Sequence, residues 1–303
     1  GDCLFNLVTE QKTKKDTMKS LLAYIDRMKN AENMIFYCAE MAKDLNASVH
    51  FFHTFTPHSY PMGVPETASA TVHLSRRKMR EITNEVKKQF DVHINKVNAT
   101  LEDPPVMNYQ IEEGVAADLI AGKSKSANVD MVMVEGDTEN DGFFISDRNM
   151  EIIRSSAIPV YVVPQELSYR PLREIIYATD YKEEDIETMK NLVGLAEPYS
   201  AKITALHVES DLDLEQKVKN AGFRDMMTEK TGYKNIEVST LADEKGQGLT
   251  ETINKYASMI DADLIVLLKK NKGFLERIFT SSSTKKIIHK SHLPVMVYQE
   301  KEI

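Results

Sequence analysis

Leu21–Asp26 reads LLAYID and Ile175–Asp180 reads IIYATD; each is a short apolar run that ends on a carboxylate. The chain then continues as NASVHFFHT over Asn46–Thr54 and as SAKITALHV over Ser200–Val208, so Asp and His stand 27 residues apart in both places. VDMVMV ending at Val134 is matched by ADLIVL ending at Leu267, and SSAIPVYVV around Pro159 by KSHLPVMVY around Pro294. A period near 150 residues is too long for a solenoid and suits two copies of one domain. An apolar run closed by Asp reads as a central parallel strand, buried on both faces.

Working outward, each half alternates strands with helical stretches. In the first, strand Leu21–Ile25 is followed by helix Ala31–Leu45, whose Met34, Ile35, Cys38, Met41, Ala42 and Leu45 form one apolar stripe. Strand Val49–Phe55, a Pro-rich loop at Thr56–Pro65 and a charged helix Thr67–Phe90 come next. Strand Val106–Ile111, helix Ala116–Ala127, strand Asp130–Val134, helix Asn149–Ser155 and strand Pro159–Val163 complete the half. The second half repeats the order, with strands Glu174–Thr179, Lys202–Val208, Ile236–Thr240, Leu264–Leu268 and Val295–Tyr298. Its helices fall at Glu184–Glu197, Leu212–Thr231, Leu249–Ile260 and Ser282–Lys290. Strands alternating with helices require right-handed crossovers that place helices on both sheet faces. The expected fold class is α/β: two tandem doubly wound domains, each a five-stranded, mostly parallel sheet. Residues 18–165 form the first domain and 172–303 the second, with 1–17 an N-terminal extension and 164–171, PQELSYRP, a linker. The repeat offset falls from 154 at the Asp and His pairs to 133 at Asp130 and Asp263, so the first half carries about twenty extra residues within 56–106. They are expected to form a flap at the carboxyl end of the sheet, where ligands bind in such folds.

Composition narrows the function. A net charge of -8 argues against nucleic acid, which needs a basic stripe to neutralise phosphates. No apolar run reaches the roughly 18 residues that span a bilayer, and no start resembles a signal peptide, so a cytoplasmic location is expected. Cys3 and Cys38 are the only cysteines and lack metal or redox spacing. His50 and His53 point to opposite faces of a strand, and neither they nor His289 and His292 have a third ligand at telling spacing, so no metal is expected. Cys38 and the Met-rich Phe223–Thr228 read as core. Arg76, Arg77, Lys78 and Arg80 read as a solvated face, and Glu183, Glu184 and Asp185 as favourable charge at a helix start. There is no P-loop, no nucleophile elbow and no dinucleotide glycine fingerprint.

The Asp that closes each first strand, the second strand ending in His, and above all KKNKGFLERIFTSSSTKKIIHKSHLPVMVY over Lys269–Tyr298 resemble the universal stress protein family in its tandem form. The resemblance covers about 18–165 and 172–299. It implies a five-stranded parallel sheet with a switch point between strands one and four, a role in stress tolerance, and ATP binding in some members but not others. It also implies that the two domains pack through their fifth strands as an intramolecular pseudo-dimer, and it leaves open a further pairing into homodimers in the manner of many relatives. Nucleotide-binding members resemble one another in a loop of glycine, two residues, glycine, nine residues, glycine, then Ser or Thr. Here those glycine positions hold Leu268, Asn271 and Ser281, with Ser282 at the hydroxyl position and Gly273 nearby. In the first half they hold Met133, Gly136 and Ser146, with Asp147 where the hydroxyl belongs. Missing glycines remove close backbone approach to phosphate, and Asp147 would repel it. The resemblance also assigns the first-strand Asp, here Asp26 and Asp180, to the adenosine part of a ligand, though either could cap the following turn. The candidate ligand residues are therefore Asp180, Lys272, Gly273, Ser281, Ser282, Ser283 and Asp26. Two readings of the serines stay open: an anion cradle, or an N-cap on a helix with solvated lysines. The expected protein is a non-catalytic, stress-linked binder of a small ligand or protein partner. ATP or AMP has room only in the second half, and a weak nucleotide hydrolase on the same fold is the rival.

Overall fold

The computed structural model describes residues 18–55, 69–125, 128–139, 142–144, 146–182, 184–209, 214–242, 249–269 and 293–299. In chain order the first half contains β1 (Ser20–Tyr24), α1 (Ala31–Leu45), β2 (Ser48–Phe55), α2 (Ser69–Thr100), β3 (Met107–Glu113), α3 (Ala116–Ser124), β4 (Met131–Glu135), β5 (Asp137–Glu139), β6 (Gly142–Phe144), α4 (Asp147–Ser155) and β7 (Val160–Val163). The second contains β8 (Glu174–Ala178), α5 (Glu184–Ala196), β9 (Lys202–Glu209), α6 (Leu214–Thr231), β10 (Ile236–Ala242), α7 (Leu249–Met259), β11 (Leu264–Lys269) and β12 (Val295–Gln299). The expected helix Ser282–Lys290 lies outside the described residues.

Ten strands form one sheet in the order β10-β9-β8-β11-β12-β7-β4-β1-β2-β3. Each half therefore has its first and fourth strands side by side, which makes the boundary between them a switch point at the carboxyl edge. All contacts within a half are parallel. The two fifth strands, β7 and β12, meet antiparallel, with Val160 opposite Val297, Tyr161 opposite Met296 and Val162 opposite Val295. The expected pair of five-stranded sheets is thus one continuous sheet, because the two fifth strands satisfy each other's open edge. Burial follows sequence pattern: β1, β4, β7, β8 and β12 are almost wholly buried, whereas β3 alternates at the outer edge.

Two repeated residues prove to be register locks. The Asp130 carboxylate accepts from the backbone N–H of Lys19 (2.7 Å) and Ser20 (2.9 Å), and Asp263 accepts from Arg173 (2.7 Å) and Glu174 (2.9 Å). Each fixes the start of its first strand against its fourth. Asp263, fully buried, also holds Arg170 Nε at 2.6 Å.

The linker is clasped rather than loose. Asn33 on α1 donates to the Leu167 carbonyl, and Tyr169 donates to Asp44 (2.5 Å) on α1 while its hydroxyl oxygen lies 3.0 Å from the Tyr199 hydroxyl after α5. Tyr37 packs edge-on against Tyr169 and shares a hydrogen bond with Tyr161 of the joint strand β7.

The extra residues of the first half correct one expectation. Residues 91–100 are helix, not connection, because Phe90, Ile94, Val97 and Leu101 keep the 3–4 spacing that buries one stripe. Phe90 is stacked between Phe51 and Tyr109. Val86 is the first buried residue of the helix whose exposure is described, and none from 77 to 85 is buried. From Val86 to Thr100 the helix is about 22 Å long at 1.5 Å per residue, which matches the roughly 23–27 Å of a seven- or eight-residue strand. The preceding 69–85, about 25 Å more, overhangs the carboxyl edge. The elaboration is a projecting helix; residues 56–68 lie outside the described set.

Candidate functional site

At the carboxyl edge of the first half, β1 delivers Asp26 into the switch-point crevice. His53, at the end of β2, donates through Nδ1 to the Ile25 carbonyl at 2.7 Å and pins the turn that carries Asp26. His207 makes the same bond to the Thr179 carbonyl at 2.8 Å, beside Asp180. The 27-residue Asp–His spacing is therefore a positioning device repeated in both halves. Burial lowers the His53 pKa, so its ring is held neutral, with Nδ1 as the donor.

Asp26 is paired across the crevice. The Arg148 guanidinium, from the first turn of α4, is bonded to its carboxylate, and Tyr24 Oη lies 3.4 Å away. Ser146, at the third glycine position, is the N-cap of α4; its hydroxyl accepts from the Asn149 backbone N–H at 3.2 Å. The Asn149 side chain in turn donates to the Glu135 carbonyl at 2.7 Å. The start of α4 is thus capped by the chain's own side chain. Asp26 and Arg148 are 36% and 48% exposed, so the pair contributes at most about 1 kcal/mol to stability. The β5–β6 hairpin lies in this same segment, which sequence patterning had not revealed as strand. Beside the crevice a cleft of about 490 Å³ is lined by Glu32, Asn33, Phe36, Glu135, Gln165 and Glu166.

In the second half the chain after Asp180 turns sharply: Tyr181 has φ 57°, uncommon for an aromatic residue. Its ring packs on His207 and Phe223, with centroids 4.6 and 4.7 Å away, and its hydroxyl bonds Asn220 (2.8 Å) and Thr240 (2.9 Å). His207 also meets Glu209 through Nε2 at 2.8 Å. Asp185 corrects the reading of a charge that merely suits a helix start. It is fully buried, and accepts from Tyr177 Oη (2.6 Å), Thr179 Oγ1 (2.7 Å) and the Lys182 N–H (2.8 Å), anchoring the turn on both sides of Asp180. Lys272, Gly273, Ser281, Ser282 and Ser283 lie outside the described residues, so only Asp26 and Asp180 of the candidate ligand set can be placed.

Arg148 and Asp185 escaped sequence reasoning. Asp26 and Arg148 are 122 positions apart and share no spacing rule; Ser146 three before Asn149 is a capping pattern that could have been read. Among the described residues no group of three His, Cys, Asp or Glu side chains is placed to share a metal ion, and no helix is long and apolar enough to cross a membrane.

A family model, that of the universal stress protein family, matches residues 18–164 and again 171–299. The chain belongs to the universal stress protein family. Its two matched segments correspond to the two five-strand blocks, so it is a tandem member of a stress-response family. Among solved structures this tandem universal stress protein is similar to a universal stress protein from Archaeoglobus fulgidus, at 14% identity over 94% of this chain and 98% of that one, with TM-score 0.59. It is similar also to a putative universal stress protein from Pseudomonas aeruginosa, at 12% identity over 93% of each chain and TM-score 0.52. A third likeness is to the cytoplasmic domain of a prokaryotic cation chloride cotransporter, at 9% identity over 94% of this chain and 97% of that one, with TM-score 0.56. At these identities the likeness is one of fold. No curated protein matches the chain.

Proposed function

We propose that this universal stress protein acts by binding, without catalysis: the first half is a scaffold, and the second half carries whatever small-ligand site the chain retains. The observation that supports this reading is Arg148 seated on the Asp26 carboxylate, with Ser146 capping the helix start beside it. A triphosphate in the first half would have to displace that cap and face Asp147, and Glu135 and Glu166 lie close by in the adjoining cleft. Like charges in so small a space repel. In the second half Asp180 stands on a turn organised by Asp185 and walled by Tyr181 and His207, a setting suited to the adenosine end of AMP or ATP. If that site too is lost, a protein partner is the remaining ligand.

Thermal-shift titration with AMP and ATP, with and without magnesium, tests the division of labour when followed by a phosphate-release assay. We expect any nucleotide-induced shift to disappear in Asp180→Asn and to survive in Asp26→Asn. Loss of binding in Asp26→Asn alone would overturn the scaffold assignment, and steady phosphate release would favour the rival hydrolase. No shift with any nucleotide favours the protein-partner form.

A further inference from the structure

The ten-stranded sheet ends on β3 at one side and β10 at the other. In a parallel pair, alternate residues of a strand turn their N–H and C=O towards the same neighbour. The Ile203 N–H donates to the Asn235 carbonyl, and Ile236 stands opposite Ile203. That phase directs the backbone groups of Glu237, Ser239 and Leu241 towards β9. The groups of Ile236, Val238, Thr240 and Ala242 point out of the sheet, and no strand among the described residues takes them.

β10 lacks the devices that commonly blunt such an edge. Its sequence, IEVSTLA, has no proline, lysine or glycine, and its single charge, Glu237, is held by Lys202 at 2.6 Å. Ile236, Val238 and Thr240 are β-branched and favour the extended chain. The other outer strand, β3, ends on Glu112 and Glu113, and Lys123 is bonded to Gln110 and Glu112 at 3.0 and 2.6 Å. Charge protects that edge and leaves this one open.

A cleft runs beside the open edge. About 580 Å³ lies between the last turns of α6 and the start of β10, lined by Arg224, Asp225, Thr228, Glu229, Lys234 and Ile236. Phe223 and Met227 of α6 are buried, and at 3.6 residues per turn Arg224 and Thr228 share one flank of that stripe, where the cleft opens. Two cations are matched by two carboxylates, and Arg224 is bonded to Asp225 at 3.1 Å. The cleft therefore carries no net charge, and a polyanion finds no basic stripe there. Thr240 reaches Asn220 of α6 at 2.9 Å, so Ile236 and Val238, on the same face, also lie on the α6 side. A strand laid along β10 would set alternate side chains into this cleft.

We propose that the outer edge of β10 docks a protein partner, which adds one extended, uncharged segment to the sheet as an eleventh strand. Only another extended backbone offers N–H and C=O groups at the strand's own two-residue spacing. Backbone bonds supply the affinity, and the cleft selects β-branched or aromatic side chains at the alternate positions that enter it. The cleft lies at the amino end of β10, the opposite end of the strands from Asp180. Docking there is independent of nucleotide binding in the second half.

A phage-displayed library of random twelve-residue peptides, selected on the full chain and counter-selected on Val238→Pro, supplies the probe. Val238→Pro deletes an outward N–H and none that pairs with β9, and proline is tolerated at such edge positions; circular dichroism checks its fold. Peptides should survive both steps. Methylating the backbone nitrogens of a surviving peptide at alternate residues should weaken binding at least about tenfold in one phase and spare it in the other, because each phase faces a different side. Amide exchange read by nuclear magnetic resonance should slow on peptide addition at Ile236, Val238 and Thr240, and stay unchanged at Glu237, Ser239 and Leu241. If Val238→Pro fails to fold, peptides selected on the wild type alone are judged by the methylation and exchange patterns. Failure to recover any peptide overturns the proposal, as does indifference to methylation in both phases or protection without the two-residue alternation. Slow exchange at Ile236, Val238 and Thr240 in the free chain also overturns it, since the edge is then already covered; protection that grows with protein concentration would make a second copy the occupant.

Discussion

Replacing Asp263 with alanine should destabilise the protein far more than the same change at its repeat partner, Asp130. Both carboxylates accept two backbone N–H groups at the start of a first strand, and a hydrogen bond to a charged group is worth about 1.5–3 kcal/mol. Their settings differ. The Asp263 side chain is wholly buried and carries Arg170 at 2.6 Å. Asp130 is half-buried, one of its donors, Lys19, is exposed, and no basic side chain among the described residues pairs with it. Arg170 is 44% exposed and can turn to water when its partner is lost, so the ion pair adds little. The cost of Asp263→Ala is then roughly 3–4 kcal/mol and that of Asp130→Ala roughly 1–2 kcal/mol, most of each from stranded N–H groups. In urea unfolding followed by circular dichroism, a gap of about 2 kcal/mol displaces the midpoint by roughly 1 M at an m-value near 2–3 kcal/mol/M. Arg170→Ala alone should cost under about 1 kcal/mol. Equal losses at Asp130 and Asp263 would refute the reasoning. So would an Arg170→Ala loss as large as that of Asp263→Ala, because it would place the energy in the ion pair and not in the backbone register.

Three further outcomes follow from burial. Phe90→Ala, which empties a stacked, fully buried position, should cost about 3–5 kcal/mol, while Ile82→Ala on the overhang, 41% exposed, should stay within about 0.5 kcal/mol; comparable losses would mean that the overhang is packed. Cys38 is wholly buried and its thiol pKa is raised by desolvation, so peptide mapping should find it unlabelled by a maleimide in native protein and labelled in urea. His53 is kept neutral by burial against an ordinary value of 6.5. Below that value the unfolded chain takes up a proton that the native ring refuses, so stability should fall as pH drops from 7 towards 5.5. His53→Asn should flatten that part of the pH dependence; an unchanged slope would assign it elsewhere.

Much of this architecture is legible in the chain because its two halves annotate each other. A residue recurring at the same place in two independent cores is held there by the fold, and Asp130 with Asp263, and His53 with His207, are cases in which the duplicated residue makes the duplicated bond. Central strands were readable for a related reason: burial on both faces leaves unbroken apolar runs, and boundaries drawn from them shift by only a residue or two. The length of α2 was misjudged where charged residues interrupt the eye but not the stripe, since Phe90, Ile94 and Val97 continue the spacing through Asp91 and Lys96. What could not be read is what the repeat does not share. Arg148 matters because it lies across the crevice from Asp26, a proximity set by the crossover between β1 and β4 and by nothing local in sequence. Tyr181 is similar: its aromatic side chain at positive φ is tolerated because Asn220, Thr240, His207 and Phe223, from three different elements, hold it. Among the described residues, Arg148 and Tyr181 are differences at the carboxyl edge, where the shared His53 and His207 also lie, while the register-fixing Asp130 and Asp263 are identities of the sheet. Selection for a common fold explains the second pattern and not the first, so each half's edge must be tested on its own residues.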